Sequence, residues 1–334
     1  MVKQKLLMVC GQYAWPKIKG GIENRIRAYR DFILSDDYEV YFYFYHPPMI
    51  PKLKMPNGQE VVNPSEKQLK EINPHITFFM NDDFDFNKAP ALKHLKANTR
   101  TILMTQKWRI ANSGTYDAVI TNYADVPTDE SVLQIGGFYD NKIYYKDRKQ
   151  ERFVIHVGRI HDTKNQVELV KNYKKEIYLK HKIPLYMVGG TFTNDYFQEV
   201  YKYVDGIAVM GTAKPGVPYT DRNWINNEAL ARLYNSARLF VLPSKQETFG
   251  LALAEAMACG TTCVVDGEYP GMPQQELEGQ VLGNVYGYTG SIIQNIDRAL
   301  TDNIRIDGSE WIKRFSLPEQ KLKIIDFIKQ RTGK

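Results

Sequence analysis

Short apolar runs alternate with stretches of helical periodicity along almost the whole chain. Residues 6–10, 38–45, 75–80, 100–105 and 117–121 read as strands, with helices between them at 21–34, 64–72 and 88–97. Alternation of this kind predicts an α/β fold, with a parallel sheet covered on both faces. The run Tyr38-Glu39-Val40-Tyr41-Phe42-Tyr43-Phe44-Tyr45 is strand-like throughout, and the proline-rich tract 46–56 behind it predicts a loop. Over 141–151 the texture turns polar and charged, which predicts a domain boundary. A second series follows: strands at 152–157, 184–188, 207–210, 239–242 and 262–265. Its helices fall at 165–178, 195–203, 227–236, 249–258, 289–301 and 317–330. The expected organisation is a first domain over 1–145, a second over 146–315, and a last helical segment, 316–334, that packs back on the first. Two doubly wound domains in tandem leave a deep cleft at the carboxyl ends of their sheets, where ligands of such folds bind.

Composition narrows the class. The chain has 334 residues, ample for two cores, and its 43% hydrophobic and 25% charged residues suit a globular protein. No apolar run approaches the roughly 20 residues of a membrane span, and residues 6–10 are too few for a signal-peptide core. The expected location is the cytoplasm: free, peripheral to the inner membrane face, or that of the host if the chain is viral. Cys10, Cys259 and Cys263 form no framework, and buried free thiols are expected. Net charge is +6, mildly basic. Residues 86–116 hold no acid but six cations: Lys88, Lys93, Lys96, Arg100, Lys107 and Arg109. That stretch is either a solvated face or a surface for phosphates.

The chemistry concentrates between Glu247 and Glu255. Phe249-Gly250-Leu251 opens a helix whose first N–H groups lack intrahelical partners and carry the positive end of the dipole. Gly250 lets a phosphate approach the backbone. Glu255, four residues past Leu251, lies on the same face about 6 Å along the axis, suited to a ribose diol beside a diphosphate. Glu247 precedes the helix, where it can orient sugar hydroxyls. Upstream, Phe153-Val154-Ile155-His156-Val157-Gly158-Arg159 is a strand ending in a glycine and a cation, followed by Lys164-Asn165. Arg159 and Lys164 can neutralise a diphosphate without a metal.

These pieces resemble the GT-B glycosyltransferases of the large retaining class called family four, or glycosyltransferase group 1. The matching segments run in the family's order: Gly20-Gly21-Ile22-Glu23, Val157-Gly158-Arg159, Lys164-Asn165, Met187-Val188-Gly189-Gly190 and Val209-Met210-Gly211. Then come Glu228-Ala229-Leu230, Tyr234-Asn235-Ser236-Ala237, Val241-Leu242-Pro243-Ser244, the paired glutamates, Ala258-Cys259-Gly260-Thr261 and Phe315-Ser316-Leu317. The resemblance implies two Rossmann-like domains and transfer of a sugar from a nucleotide diphosphate sugar, UDP-linked, with retention. It places Arg159, Lys164, Gly250, Leu251, Gly20 and Gly21 on the donor diphosphate and Glu255 on the ribose. It places Glu247, Thr248 and Phe249 on the donor sugar, and Met210 and Gly211 at the nucleobase. Catalysis falls to Glu247, Lys164 and Arg159, with no prosthetic group and no metal. The acceptor implied is a glycan or lipid-linked saccharide.

The first half departs from the pattern. Where the family often carries a histidine after a first-domain strand, this chain reads Gln106-Lys107-Trp108-Arg109, and those four are the acceptor-side candidates. Asn81-Asp82-Asp83-Phe84-Asp85 contains an Asp-x-Asp and reads as a solvated loop, not a metal site. Gly136-Gly137 reads as interdomain. Other readings stay open: a phage-type DNA glycosyltransferase acting on a hydroxymethylated pyrimidine, with Trp108 stacking a flipped base in double-stranded DNA, or a non-catalytic binding protein on the same scaffold. Epimerases of this fold need acids and a histidine clustered in the cleft, a pattern absent from the sequence.

Overall fold

The computed structural model describes residues 3–10, 25–26, 28–44, 53–54, 60–61, 65–80, 90–105, 116–121, 130–147, 151–190, 194–204, 208–210, 225–245, 247, 249–266, 286 and 290–332. The chain divides into two compact units, Met1–Gly136 with Leu317–Lys334, and Gly137–Ser316.

The first unit is built on β1 (Gln4–Cys10), β2 (Tyr38–Phe44), β5 (Ile76–Met80), β6 (Arg100–Thr105), β7 (Ala118–Thr121) and β8 (Val132–Gln134). They form one sheet in the order β2-β1-β5-β6-β7-β8, every pairing parallel. Leu7, Val9, Phe79, Leu103 and Val119 cluster with Leu69 and Ile72 of α1 (Glu66–Ile72) and Leu95 of α2 (Pro90–Asn98). Helix α1 starts at Glu66, two residues inside the expected range, because Ser65 and Gln68 form a reciprocal capping box. Two short strands depart from expectation. The tract 46–56, read as loop, contains β3 (Leu53–Lys54), paired antiparallel with β4 (Glu60–Val61). Strand β8 is a three-residue edge, partly exposed, and too short to show an alternating pattern.

An apolar face and surface ion pairs hold the last helix, Leu317–Thr332, to this unit. Ile324, Ile325, Phe327 and Ile328 are buried, and burial of such side chains contributes about 1.5–3 kcal/mol each. Lys321 pairs with Asp36, and Lys329 with Asp37 at 3.0 Å. Surface pairs contribute roughly 0–1 kcal/mol, so they register the helix while the apolar face attaches it.

The second unit runs β9 (Phe153–Val157), α3 (Gln166–Tyr173), β10 (Leu185–Val188), α4 (Asn194–Tyr201), β11 (Ala208–Met210), α5 (Asn227–Ser236), β12 (Ala237–Leu242), α6 (Leu251–Ala258), β13 (Cys263–Val265), α7 (Ile292–Thr301) and α8 (Ser309–Ile312). Helix α7 begins at Ile292 rather than 289 because Ser291 and Gln294 form a second capping box. Five parallel strands lie in the order β11-β10-β9-β12-β13. The period of two sends Phe153, Ile155 and Val157 into one core with Leu230, Tyr234, Leu253 and Ala256, and Val154 into the other with Leu169 and Ile296. Both faces are therefore covered, which is why these strands are largely apolar, with His156 in β9 and Arg238 in β12 as buried polar exceptions. The chain winds from β9 outward to β11, then returns to β12 on the other side. The loops after β9 and β12 therefore leave the sheet side by side at the topological switch point. Cys10, Cys259 and Cys263 are free and buried.

Candidate functional site

The loop after β9 is fixed by its backbone. Gly158 N–H donates to Val188 C=O at 2.9 Å, and Ile160 N–H to Gly190 C=O at 2.8 Å. Gly189 must be glycine, since a Cβ there would lie 1.8 Å from the Gly158 oxygen. The side chain of Arg159 is exposed at the crest of this loop. A 3-10 turn, Asp162–Lys164, follows, and Asn165 in the left-handed region separates it from α3.

Lys164 reaches across the switch point. Its ammonium lies 2.5 Å from a carboxylate oxygen of Glu247 on the loop after β12, with the two side chains 22% and 12% exposed. Lys245 N–H donates to Thr163 C=O at 3.1 Å, a second tie between the loops. The two residues that the sequence placed on different parts of one donor are in direct contact. So shielded a pair attracts more strongly than a surface pair.

Helix α6 begins beside them. Gly250, its N-cap, sits at φ 77°, a conformation glycine adopts without strain. No side chain among the described residues caps this end, and no acid occupies the first turn. Its first N–H groups are thus disposed for an anion.

Glu255 follows on α6. Tyr234 on α5 donates from its hydroxyl to Glu255 Oε2 at 3.2 Å, and Tyr144 donates as well. Burial pushes the carboxyl up to about 8, and the two phenols only partly offset that. The same surroundings push both tyrosines up, burial first and the neighbouring carboxylate second. Asn235 places Tyr144: its side chain donates to Tyr145 C=O at 3.1 Å and accepts from Asp147 N–H at 2.9 Å.

Ser244, between β12 and this helix, is fully buried, and its hydroxyl has no hydrogen-bond partner among the described residues. Leaving a hydroxyl unsatisfied costs about 1–3 kcal/mol. Ser244→Ala is therefore expected to raise stability by about 1 kcal/mol in urea unfolding. A loss of stability in that variant would mean the hydroxyl has a partner.

The remaining candidates divide. Phe249, expected beside the donor sugar, is a core residue. It is 2% exposed, and its ring meets Phe315 edge-on at 5.3 Å. Leu251 is half-buried at the first position of α6. Met210 ends β11. Gly20, Gly21, Gln106, Lys107, Trp108, Arg109, Gly211, Thr248 and the Asp-x-Asp at 83–85 lie outside the described residues. Among the described residues no group of three or more His, Cys, Asp or Glu is placed to hold a metal. None of their helices is long and apolar enough to cross a membrane.

The sequence reading missed Tyr144, His156 and Gln166. Tyr144 carries no local signal, being far from Glu255 along the chain. His156 does: a polar residue inside the apolar run Phe-Val-Ile-His-Val must find partners. It is 1% exposed and makes contact with Val241 C=O at 3.0 Å. Burial pulls its imidazole down to about 4, against the Val241 bond and with help from Lys164, so it is neutral at pH 7.

A doubly wound unit with paired cations and paired carboxylates at its switch point defines a class. Residues 141–314, over half of the chain, match the family described as glycosyl transferases group 1, and the chain belongs to that family. It is 30% identical over 155 residues to an uncharacterised glycosyltransferase of Methanocaldococcus jannaschii. That match spans 46% of this chain and only 36% of the relative. Sucrose-phosphate synthase from Thermosynechococcus elongatus has a similar structure, with a TM-score of 0.68 at 16% identity, covering 98% of this chain and 99% of that one. So does the lipopolysaccharide outer core galactosyltransferase WaaB in its apo form, with a TM-score of 0.68 at 13% identity, covering 98% and 100%. An E. coli trehalose-6-phosphate enzyme structure bound with UDP-2-fluoro glucose gives 0.64 at 12%, covering 98% and 99%. At these identities the likeness is one of fold, and the fold is GT-B.

Proposed function

We propose that the chain is a retaining glycosyltransferase that moves a sugar from a UDP-sugar to a hydroxyl of a glycan or lipid-linked saccharide. The observation that carries this reading is the Lys164–Glu247 contact at the switch point, beside the uncapped start of α6. A diphosphate placed there takes its donors from the first N–H groups of α6, from Lys164 and from Arg159. The sugar then lies toward Glu247 and the ribose toward Glu255. The nucleotide bound in the E. coli relative supports uridine as the first base to try.

In this mechanism the bond between the anomeric carbon and the diphosphate oxygen breaks, and its electron pair leaves with the diphosphate. The acceptor oxygen attacks from the face being vacated, and its proton passes to the departing phosphate oxygen. The protein's task is to stabilise charge growing on that oxygen, by electrostatic preorganisation rather than by a general base. The family assignment and fold support the glycosyl donor. The saccharide acceptor rests on relatives such as the lipopolysaccharide enzyme. DNA as acceptor gains no support from the family match or from the similar structures.

A thermal-shift screen of UDP-, GDP- and ADP-sugars tests the donor. A ligand at 100 times its dissociation constant stabilises by about 2.7 kcal/mol. Stabilisation by UDP-sugars, with proton NMR of the product showing the donor's anomeric configuration, is the expected result. No shift and no turnover with any donor would overturn the reading, and inverted product would overturn retention.

A further inference from the structure

We propose that His156 and Gln166 are positioning residues for the donor site, a neutral imidazole–amide clamp that holds the Arg159 loop against the strand leading to Glu247. This rests on reading that loop as the diphosphate site.

Gln166 is fully buried at the first position of α3. Its side-chain NH2 lies 2.7 Å from Arg159 C=O and 3.2 Å from His156 Nε2, and its Oε1 accepts from His161 N–H at 3.4 Å. The ring's other nitrogen, Nδ1, lies 3.0 Å from Val241 C=O. The direction of every bond is forced. A carbonyl only accepts, so Nδ1 carries the proton and the neutral ring accepts at Nε2. Only the NH2 end of Gln166 can meet that acceptor, and its second hydrogen goes to Arg159 C=O. One chain of bonds thus joins β12, β9 and the crest of the loop.

Fold alone does not call for this pair. Strands β9 and β12 are already hydrogen-bonded through their backbones, and the rest of β9 is apolar. The clamp instead sits where loop geometry matters. The amides flanking Arg159, those of Gly158 and Ile160, are held by the end of β10. The Arg159 carbonyl between them takes its bond from the Gln166 side chain. That peptide carries the Arg159 side chain, so tilting it re-aims the guanidinium, and the Lys245–Thr163 bond ties the same loop to the segment after β12.

The test uses the whole chain and two variants. Gln166→Leu removes the donors at similar volume, and Gln166→Glu keeps the shape but offers only acceptors. Wild type is expected to bind UDP by calorimetry, and both variants to bind it at least about tenfold more weakly. In the ligand-free protein both should speed amide hydrogen exchange at Ile160 and Lys245 at least about tenfold, leaving β6 of the first unit unchanged. Gln166→Glu should also move the NMR titration of His156 to higher pH, because a carboxylate facing Nε2 favours the protonated ring. That shift shows that side chain 166 still faces Nε2, so that a loss of binding is read from the altered bond and not from a displaced helix. Variants that bind UDP as well as wild type, or that leave the Ile160 and Lys245 amides as protected, overturn the clamp while the donor reading stands. A wild type that binds no nucleotide overturns the donor reading, and the positioning role with it.

Discussion

Replacing Lys164 with alanine is expected to cut sugar transfer at least about tenfold, and replacing Glu247 with alanine to do the same. A tenfold loss corresponds to about 1.4 kcal/mol, near the lower end of one charge-assisted contact. The pairing adds a second consequence. Glu247 is only 12% exposed and 2.5 Å from Lys164, so deleting the lysine leaves a poorly solvated carboxylate without its cation. Each single variant should therefore lose stability, on the order of 1–3 kcal/mol by urea unfolding. The double variant should lose less than the sum, because neither charge is then stranded. Transfer behaves differently. If Lys164 serves the diphosphate and Glu247 the sugar, the double variant stays at least as slow as either single one. Normal turnover in both single variants would remove these residues from the site. Additive stability losses would mean that the contact is not energetically coupled.

Glu255→Gln is expected to change how stability depends on pH. The native carboxyl titrates near 8, against 4.5 for an unperturbed glutamate. Below 4.5 both native and unfolded states hold the proton, and the group contributes no pH dependence. Between 4.5 and 8 the unfolded chain has released its proton while the native state keeps it. Stability then falls as pH rises, by at most about 1.4 kcal/mol per pH unit. Above 8 the cost is complete. Glutamine does not titrate and its oxygen still accepts from Tyr144 and Tyr234. The variant should therefore gain on wild type steadily from pH 5 to 8, reaching a few kcal/mol. Urea midpoints across that range measure it, and a constant difference would mean the carboxyl is not desolvated. Donor binding should move the other way. A ribose diol is held best by an ionised carboxylate, so wild-type UDP affinity is expected to rise toward pH 8 and that of Glu255→Gln to stay flat.

Much of the fold is legible in the order of residues along the chain. The alternation of apolar runs and helical periods places β1, β2, β5, β6 and β7, and all five strands of the second sheet, within a few residues. Element ends move where caps decide them: Ser65 and Ser291, not the apolar period, set the starts of α1 and α7. The site is legible as a set of residue types at helix and strand ends, because glycine, cations and carboxylates there have few purely local roles. Phe249 shows the limit. Its neighbours suggest a ligand contact, but packing against Phe315 makes its ring part of the core.

The sequence by itself determined the doubly wound architecture and the placing of Glu247 and Glu255 either side of a helix start, since both rest on spacing along the chain. Only the tertiary structure decided that Lys164 pairs with Glu247, that Tyr144 and Tyr234 hold Glu255, and that His156 and Gln166 tie the loop to its neighbouring strand. Those contacts join residues far apart in sequence. Parallel strand order brings them together, and a period of 2 or 3.6 carries no information about which strands are neighbours.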